Sequence, residues 1–292
     1  MAAMPWIGGC SIMKKAPINK IIWFSNVDGP GNRTSVFFQG CSFDCRFCHN
    51  PETIHLCCHC GICVPSCPVH ALSAGTDGKV IWNPDTCIQC DACIRACPSD
   101  ASPRVRWITV PELLAELERS MPYIDGITVS GGECTLYTDF LLDLFPAVQK
   151  KGKTCLLDSN GSFDFRKDPR ILEFSDGVML DVKAVSPAWS RELVSSDPDS
   201  VLSNLQFLLS IGKLQEVRTL IFPGKDRENE ETVRYVAQQI GKACLYKIIR
   251  YRPYGVRERY RKILGEETTD ADYAEHFAAL ARSLGADKTY VI

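Results

Sequence analysis

Residues 34–51 read TSVFFQGCSFDCRFCHNP, and this stretch decides how the chain is interpreted. An apolar run typical of a buried strand leads into three cysteines spaced C-x3-C-x2-C, namely Cys41, Cys45 and Cys48. Three thiolates on one loop can ligate three irons of a [4Fe–4S] cluster, which leaves the fourth iron open to a small molecule. A structural zinc site normally needs a fourth Cys or His, and His49 is too close to Cys48 for the usual spacing. We therefore predict a cluster with one open iron, with zinc or chance spacing as the alternative.

Two further cysteine runs share the pattern C-x2-C-x2-C-x3-C-P and are offset by 30 residues. The first run holds Cys57, Cys60, Cys63 and Cys67, and the second holds Cys87, Cys90, Cys93 and Cys97. This is the pattern of bacterial ferredoxins, in which the fourth cysteine of each run ligates the other cluster. One [4Fe–4S] cluster is therefore predicted on Cys57, Cys60, Cys63 and Cys97, and a second on Cys67, Cys87, Cys90 and Cys93.

The segment that carries these runs, residues 52–104, is rich in Pro, Asp and short turns. Such a segment cannot build a hydrophobic core alone and needs an internal staple. We therefore predict three parts. Residues 1–51 form an N-terminal segment with the first barrel strand and the cluster loop, residues 52–104 form a ferredoxin-like insert, and residues 105–292 complete the barrel.

From residue 107 onward the pattern alternates between helix and strand. Strands are predicted at 126–129, 153–157, 177–180, 216–222, 245–249 and 288–292, and helices at 111–120, 139–151, 169–174, 198–211, 228–240 and 270–284. Thr109 is the predicted N-cap of the first helix. Repeated βα units favour parallel strands joined by helical crossovers.

The number of units sets the architecture. With the strand near residue 34, about six units are present, and about 240 residues lie outside the insert. A complete (β/α)8 barrel usually needs ~250 residues. The prediction is an α/β fold, a partial (β/α)6 TIM-type barrel with an inserted bacterial 2[4Fe–4S] ferredoxin-like domain. An open doubly wound sheet is the alternative.

The composition of the sequence limits which cellular compartment and which classes of binding partner are expected. The chain has 292 residues, 45% of them hydrophobic, a net charge of −2 and 16 cysteines. This charge balance favours neither nucleic acid nor a membrane surface as partner, and no apolar run approaches the roughly 20 residues of a membrane helix. Residues 1–20 lack the order of a secretory signal. We expect a cytoplasmic protein whose cysteines are reduced.

Further segments accompany the cysteine loop over about 200 residues: 27–33 (VDGPGNR), 47–51 (FCHNP), 130–133 (SGGE), 158–161 (DSNG), 181–183 (DVK) and 218–224 (RTLIFPG). In this order they resemble the radical S-adenosylmethionine (radical SAM) superfamily and, within it, the glycyl-radical-enzyme activases. The insert is similar to that of the larger activases, and the whole pattern is closest to their ferredoxin-inserted, YjjW-like branch.

The resemblance implies roles for individual residues. The catalytic cluster ligands are Cys41, Cys45 and Cys48. The residues implied to contact the cluster or S-adenosylmethionine are Phe47, Cys48, His49, Gly131, Gly132, Glu133, Asp158, Asp181, Val182, Lys183 and Arg252. Those implied to hold the substrate peptide are Asp28, His49 and Arg218. The cofactors are then three [4Fe–4S] clusters and S-adenosylmethionine, with a monovalent cation as a further candidate near Asp158.

Several of these residues have simpler explanations. Gly131 and Gly132 could only form a tight turn after a strand. Asp181 and Lys183 could form an exposed ion pair of small energetic value. His49 could donate to a cluster sulfide and not to a substrate. Arg252 stands where the family usually places a His, and Arg differs from His in shape and charge.

The activity implied by the resemblance is the activation of a glycyl radical enzyme. S-adenosylmethionine would be cleaved to a 5′-deoxyadenosyl radical, which removes a hydrogen from a glycine of the partner enzyme, with reduced flavodoxin or ferredoxin as electron donor. The alternatives are a radical enzyme for a small molecule or another peptide, an iron–sulfur electron carrier, and a nucleic-acid binder. The last rests on the basic stretch 247–262, which is better explained as a solvated face or a docking patch for an acidic partner.

Overall fold

The computed structural model describes residues 14–292. The interpretation of residues 1–20 and the start of the first predicted domain therefore lie partly outside the described residues. The strands are β1 (Lys15–Ser25), β2 (Arg33–Phe38), β3 (Leu72–Ala74), β4 (Val80–Trp82), β5 (Arg106–Thr109), β6 (Gly126–Gly131), β7 (Thr154–Ser159), β8 (Gly177–Asp181), β9 (Leu214–Ile221), β10 (Leu245–Arg250) and β11 (Thr289–Val291). The helices are α1 (Ala92–Arg95), α2 (Val110–Leu117), α3 (Thr138–Gln149), α4 (Arg170–Phe174), α5 (Pro187–Val194), α6 (Asp199–Ser210), α7 (Asp226–Ile240), α8 (Glu258–Leu264) and α9 (Ala271–Ser283).

One large, mostly parallel sheet organises the chain. Its nine strands follow the order β11-β10-β9-β8-β7-β6-β2-β1-β5. From β2 to β11 all neighbours are parallel, whereas β1 is antiparallel to both β2 and β5. Within residues 14–292 the edge strands β11 and β5 do not pair with each other, so the sheet is open. This α/β architecture is consistent with the predicted partial barrel.

The alternation of strands and helices predicted after residue 107 is confirmed. The predicted N-cap is also present, because Thr109 Oγ1 accepts a hydrogen bond from the Glu112 backbone N–H at 3.4 Å and the Glu112 carboxylate accepts from the Thr109 N–H at 2.7 Å. This reciprocal capping box satisfies two backbone donors at the start of α2. Two helices, α5 and α8, have no counterpart in the prediction.

The insert has a core of its own that is very small. It consists of Cys63, Leu72, Val80 and Cys93, separate from the large core of the sheet and its helices. Two of its four buried residues are predicted cluster ligands. So small a core agrees with the argument that residues 52–104 need a source of stability other than apolar burial.

Backbone hydrogen bonds fasten the start of the insert to the exit of β2. The N–H groups of Gly40 and Cys41 donate to the carbonyls of Thr53 and Ile54 at 2.7 and 2.9 Å. The Gln39 side chain donates to the Glu52 carbonyl at 2.6 Å. The cysteine loop and the first residues of the insert therefore form one hydrogen-bonded unit. No helix among residues 14–292 is both long enough and apolar enough to cross a membrane.

Candidate active site

The carboxyl ends of β6, β7 and β8 and the loop after β2 surround a cavity of about 220 Å³. Its lining includes these predicted site residues: Cys41, Cys45, Phe47, Cys48, His49, Gly131, Gly132, Asp158, Asp181 and Lys183. Functional groups of barrel-type sheets converge in this way because all parallel strands end on the same side. Apolar side chains, Phe43, Ile54, Leu220 and Ile249, complete the wall.

The three-cysteine loop is held from outside by helix α5. The Asp44 and Arg46 N–H groups donate to the carbonyls of Val194 and Leu193 at 3.3 and 2.8 Å. Burial raises the pKa of the Cys41 thiol to about 12, so a thiolate at this position needs compensating donors or cations. The Phe43 N–H and the Asn160 amide supply such donors to Cys41 Sγ, at 3.4 and 3.5 Å.

Lys183 is the nearby cation. Its ammonium group donates to Asp181 Oδ2 at 2.6 Å and lies 5.8 Å from the centre of the Phe47 ring. Burial lowers the pKa of Lys183, but the charges of Asp181 and of the Cys45 and Cys41 thiolates outweigh that effect and raise it. A permanent positive charge therefore faces the cysteine loop. A buried cluster of thiolates with N–H donors and one lysine fits a [4Fe–4S] cluster, whose ligands are deprotonated.

Steric contacts, which the sequence did not reveal, explain why the SGGE segment has glycine at positions 131 and 132. Gly131 has φ +118, and a Cβ there would lie 2.2 Å from the Phe38 nitrogen. A Cβ on Gly132 would lie 2.0 Å from the Gly40 carbonyl oxygen. Glycine is thus required for the close approach of β6 to the end of β2, immediately before Cys41. The contact of both glycines with the cluster or S-adenosylmethionine that the resemblance implies stays a prediction.

Glu133 is absent from the lining of the cavity. Its buried carboxylate accepts hydrogen bonds from Thr135 Oγ1 at 2.6 Å, Ser159 Oγ at 3.0 Å and the Asn160 N–H at 2.7 Å. Burial raises the pKa of Glu133, and these donors offset part of that effect. The observed role of Glu133 is to tie the ends of β6 and β7 together and so to position Asn160 beside Cys41. Direct contact with the cofactor stays a prediction.

A buried chain of charges crosses the sheet below the cavity. Asp158 accepts hydrogen bonds from Ser130 Oγ at 2.9 Å and from Arg218 Nη1 at 3.0 Å. Arg218 also pairs with Glu216 at 2.5 Å, and Glu216 pairs with Lys247 at 2.8 Å. Burial raises the pKa of Asp158, whereas the Arg218 charge lowers it.

Two members of this chain of charges, Glu216 and Lys247, were not predicted from the sequence. The sequence does contain a signal for the pairing of Glu216 with Arg218. The two residues are two positions apart on one strand and therefore share a face. The register then places Lys247 opposite Arg218 on the neighbouring strand. Arg218 lies beside the cavity as a partner of Asp158 and is absent from its lining. Contact of Arg218 with a substrate peptide stays a prediction.

The remaining predicted residues lie outside the cavity or at its rim. Asp28 Oδ2 accepts hydrogen bonds from Ser25 Oγ and Ser35 Oγ, both at 2.6 Å, on the loop between β1 and β2. His49 is exposed at the rim, 3.0 Å from the Arg252 carbonyl oxygen. Arg252 thus meets His49 through its backbone, and its exposed side chain is absent from the lining. Val182 is fully buried.

Arg257, which was not among the predicted residues, also holds the cysteine loop. Its buried guanidinium donates to the Cys45 carbonyl at 3.1 Å and pairs with Asp44. It also lies 3.9 Å from Asp100, just after the last cysteine of the insert. Since Arg257 is separated from the loop by more than 200 residues, no local pattern could have indicated this contact.

The insert cysteines border two separate cavities. One is lined by Cys57, Cys60, Cys63 and Cys97, and the other by Cys67, Cys87, Cys90 and Cys93. In each cavity the fourth cysteine comes from the other run, as the ferredoxin pattern predicts. Among the described residues, no group of three or more His, Cys, Asp or Glu side chains is arranged so that it could hold a single metal ion. Cubane ligands need not converge on one point, because each thiolate binds a different iron.

Comparison with known proteins gives a consistent family. Residues 35–236 match the model of the radical SAM superfamily. The chain is 30% identical to the choline trimethylamine-lyase activating enzyme of Oleidesulfovibrio alaskensis over 93% of this chain and 94% of that protein. It is 29% identical to the pyruvate formate-lyase-activating enzyme of Streptococcus mutans over 74% of this chain and 69% of that protein.

A solved structure shows the same fold at low identity. The crystal structure of Streptococcus suis SuiB bound to S-adenosylmethionine matches with a TM-score of 0.54 and 12% identity, covering 86% of this chain and 48% of SuiB. At this identity the match concerns the fold alone.

Proposed function

The chain belongs to the radical SAM superfamily and, within it, to the glycyl-radical-enzyme activating enzymes, and on this basis we propose that it activates a glycyl radical enzyme. The observation that carries the proposal is the shared cavity of Cys41, Cys45, Cys48, Asp181 and Lys183. When bound, the cluster and S-adenosylmethionine supply reductive cleavage to methionine and a 5′-deoxyadenosyl radical, which takes a hydrogen atom from a glycine of the partner.

The protein's own contribution is binding and orientation. Cys41, Cys45 and Cys48 would hold the cluster, which would supply an open iron for the cofactor. The Asp181–Lys183 pair offers one charge of each sign to the zwitterionic methionine end of S-adenosylmethionine. The apolar residues Phe43 and Ile54 exclude water from the reacting atoms.

For the partner side we propose Asp28, His49 and Arg218 as contacts of the glycine-bearing peptide. Support comes from the position of His49 at the rim of the cavity and from the pairing of Arg218 with the cavity residue Asp158. Asp28 joins them because it lies close enough to Asp158 for its negative charge to raise the pKa of that carboxyl. Asp158 is in addition the proposed ligand of a monovalent cation, since it is a buried carboxylate.

The proposal for the insert is a ferredoxin-like domain over residues 52–104, flanked by barrel residues 1–51 and 105–292. The division of its cysteines between two cavities supports two further [4Fe–4S] clusters. They would accept electrons from reduced flavodoxin or ferredoxin in the cytoplasm. Membership of the YjjW-like branch stays a prediction.

The decisive experiment is anaerobic. The reconstituted, reduced protein is mixed with S-adenosylmethionine, and 5′-deoxyadenosine is quantified by chromatography for the wild type, Cys45→Ala and the control Cys244→Ala, which replaces a buried cysteine outside the site. We expect product from the wild type and Cys244→Ala, and none from Cys45→Ala. A wild-type protein that binds about twelve irons and forms no product would refute the proposal and favour an electron carrier.

A further inference from the structure

The two insert sites come from one repeated motif, yet their surroundings differ. The cavity of Cys57, Cys60, Cys63 and Cys97 is otherwise lined by small and apolar residues such as Leu56, Ile62, Val80 and Ala101. The cavity of Cys67, Cys87, Cys90 and Cys93 contains in addition Trp82, Arg104 and the Arg104 partner Asp91. The first cavity has no side chain with an N–H group in its lining, and the second has two.

The Trp82 indole carries an orphaned donor. Its Nε1 atom is buried and has no hydrogen-bond partner among the described residues. Buried indole N–H groups normally have an acceptor. The group next to it is the Cys87 thiol. Trp82 and Cys87 line the same cavity, so the indole N–H lies beside a proposed cluster ligand.

Arg104 is fixed in the same cavity. Its guanidinium pairs with Asp91 Oδ1 at 2.5 Å, and its side chain is only 16% exposed. It lines the same cavity as Cys87 and Cys93. Asp91 thus orients a cation that faces two of the four cysteines.

Comparison of the two cysteine repeats shows that the side-chain donors Trp82 and Arg104 have no equivalent in the first repeat. The backbone donors are shared, because His59 and Gln89 occupy equivalent positions 30 residues apart and both have positive φ. The position equivalent to Arg104 is Ala74, which cannot donate. Thirty residues before Trp82 is Glu52, which is absent from the lining of the first cavity.

We propose that Trp82 and Arg104 raise the reduction potential of the cluster held by Cys67, Cys87, Cys90 and Cys93 above that of the cluster held by Cys57, Cys60, Cys63 and Cys97. One-electron reduction adds a negative charge to a cluster, and N–H donors and a cation next to its sulfurs stabilise that charge. The two insert clusters are then unequal, and a single electron from a flavodoxin- or ferredoxin-class donor rests on the second one. This inference depends on the proposed insert clusters.

The test is a redox titration of the full-length chain followed by EPR. Cys41, Cys45 and Cys48 are replaced by Ala in every sample, so that only the insert clusters contribute, and about eight irons per chain are expected. We expect two distinct potentials in this parent. Trp82→Phe, which removes the N–H and the five-membered ring and keeps one aromatic ring, should shift the higher potential to a more negative value and leave the lower one unchanged. Arg104→Gln should do the same.

Matched controls separate tuning from general disturbance. Trp107→Phe changes an exposed tryptophan on β5, and Arg95→Gln removes an exposed charge within the insert. Neither should move the higher potential. Equal potentials in the parent, or a Trp82→Phe variant with unaltered potentials, would overturn the inference. A parent without its eight irons would instead contradict the proposed insert clusters, so the two failures are distinguishable.

Discussion

The guanidinium of Arg257 donates to the backbone carbonyl of Cys45 at 3.1 Å and joins two parts of the chain that are 212 residues apart. The same side chain pairs with Asp44 and lies near Asp100, so it connects the cysteine loop of the barrel with the end of the insert. Arg257 and helix α5 both bond to the loop that carries the three proposed cluster ligands, and together they determine its position.

Replacement of Arg257 by Met should therefore loosen the cysteine loop. We expect the free energy of unfolding to fall by about 1.5–3 kcal/mol, because hydrogen bonds to a charged donor are lost from a buried site. The barrel cluster should lose iron, measured by iron content and EPR. Arg257→Lys should restore part of the effect, since it keeps the charge and loses the planar fork. Arg259→Met, at a side chain 56% exposed, should change stability by less than about 1 kcal/mol. Equal effects at both positions would contradict this role.

Gly132 should not tolerate a side chain. A Cβ would lie 2.0 Å from the Gly40 carbonyl oxygen, next to Cys41. We expect Gly132→Ala to cost about 3 kcal/mol by overpacking and to release iron from the barrel cluster. Gly152→Ala is the control, because nothing lies within 4 Å of its Cβ position and only its φ of +73 is unfavourable. It should cost about 1–2 kcal/mol and retain iron. Full iron content in Gly132→Ala would refute the steric explanation.

The cross-ligation of the insert can be tested by single substitutions. Cys97→Ser should remove the cluster of Cys57, Cys60 and Cys63, and Cys67→Ser should remove the other one, with a loss of about four irons each. EPR should show that the two variants lose different signals. Cys58→Ser, which changes an exposed cysteine off the ferredoxin spacing, should retain both. If each variant lost the signal of its own run, the assignment of the two cavities would be wrong.

The Asp181–Lys183 pair should be insensitive to pH over the usual working range. The folded-state pKa of Lys183 is raised above its ordinary value of 10.5, and burial is outweighed by Asp181 and the nearby thiolates. Such a group contributes its stability fully below the unfolded pKa and loses it only as pH rises through the higher folded pKa.

Lys183→Met should therefore lower the free energy of unfolding by a constant amount between about pH 7 and 9.5. We expect about 2 kcal/mol, less than the ~3–5 kcal/mol of a fully buried pair, because Asp181 is 30% exposed. Denaturant unfolding of both proteins across this range provides the measurement. A difference that shrinks steadily from pH 7 upward would show that Lys183 titrates too early for the proposed role.

Residues that act through local spacing were predictable from the sequence. The first cysteine run and the SGGE and DVK segments meet where the parallel strands end, since a strand's end positions the residues just after it. The ends of β6, β7 and β8 accordingly bring Gly131, Asp158 and Asp181 to one cavity. The contacts of individual side chains were less predictable, since Glu133 is absent from the lining and bonds to Thr135, Ser159 and Asn160.

What the sequence by itself determined is the set of ligand spacings, the alternation of strands and helices and the repeat within the insert, because each is a pattern over a few dozen residues. Only the tertiary structure decided that Arg257 supports Cys45, that Glu216 and Lys247 extend the chain of charges from Asp158, and that Trp82 and Arg104 face Cys87. These contacts join side chains from separate elements, whose approach depends on packing across the sheet. No periodicity along the chain records that approach, because the contact energy depends on distance in space and not on separation in sequence.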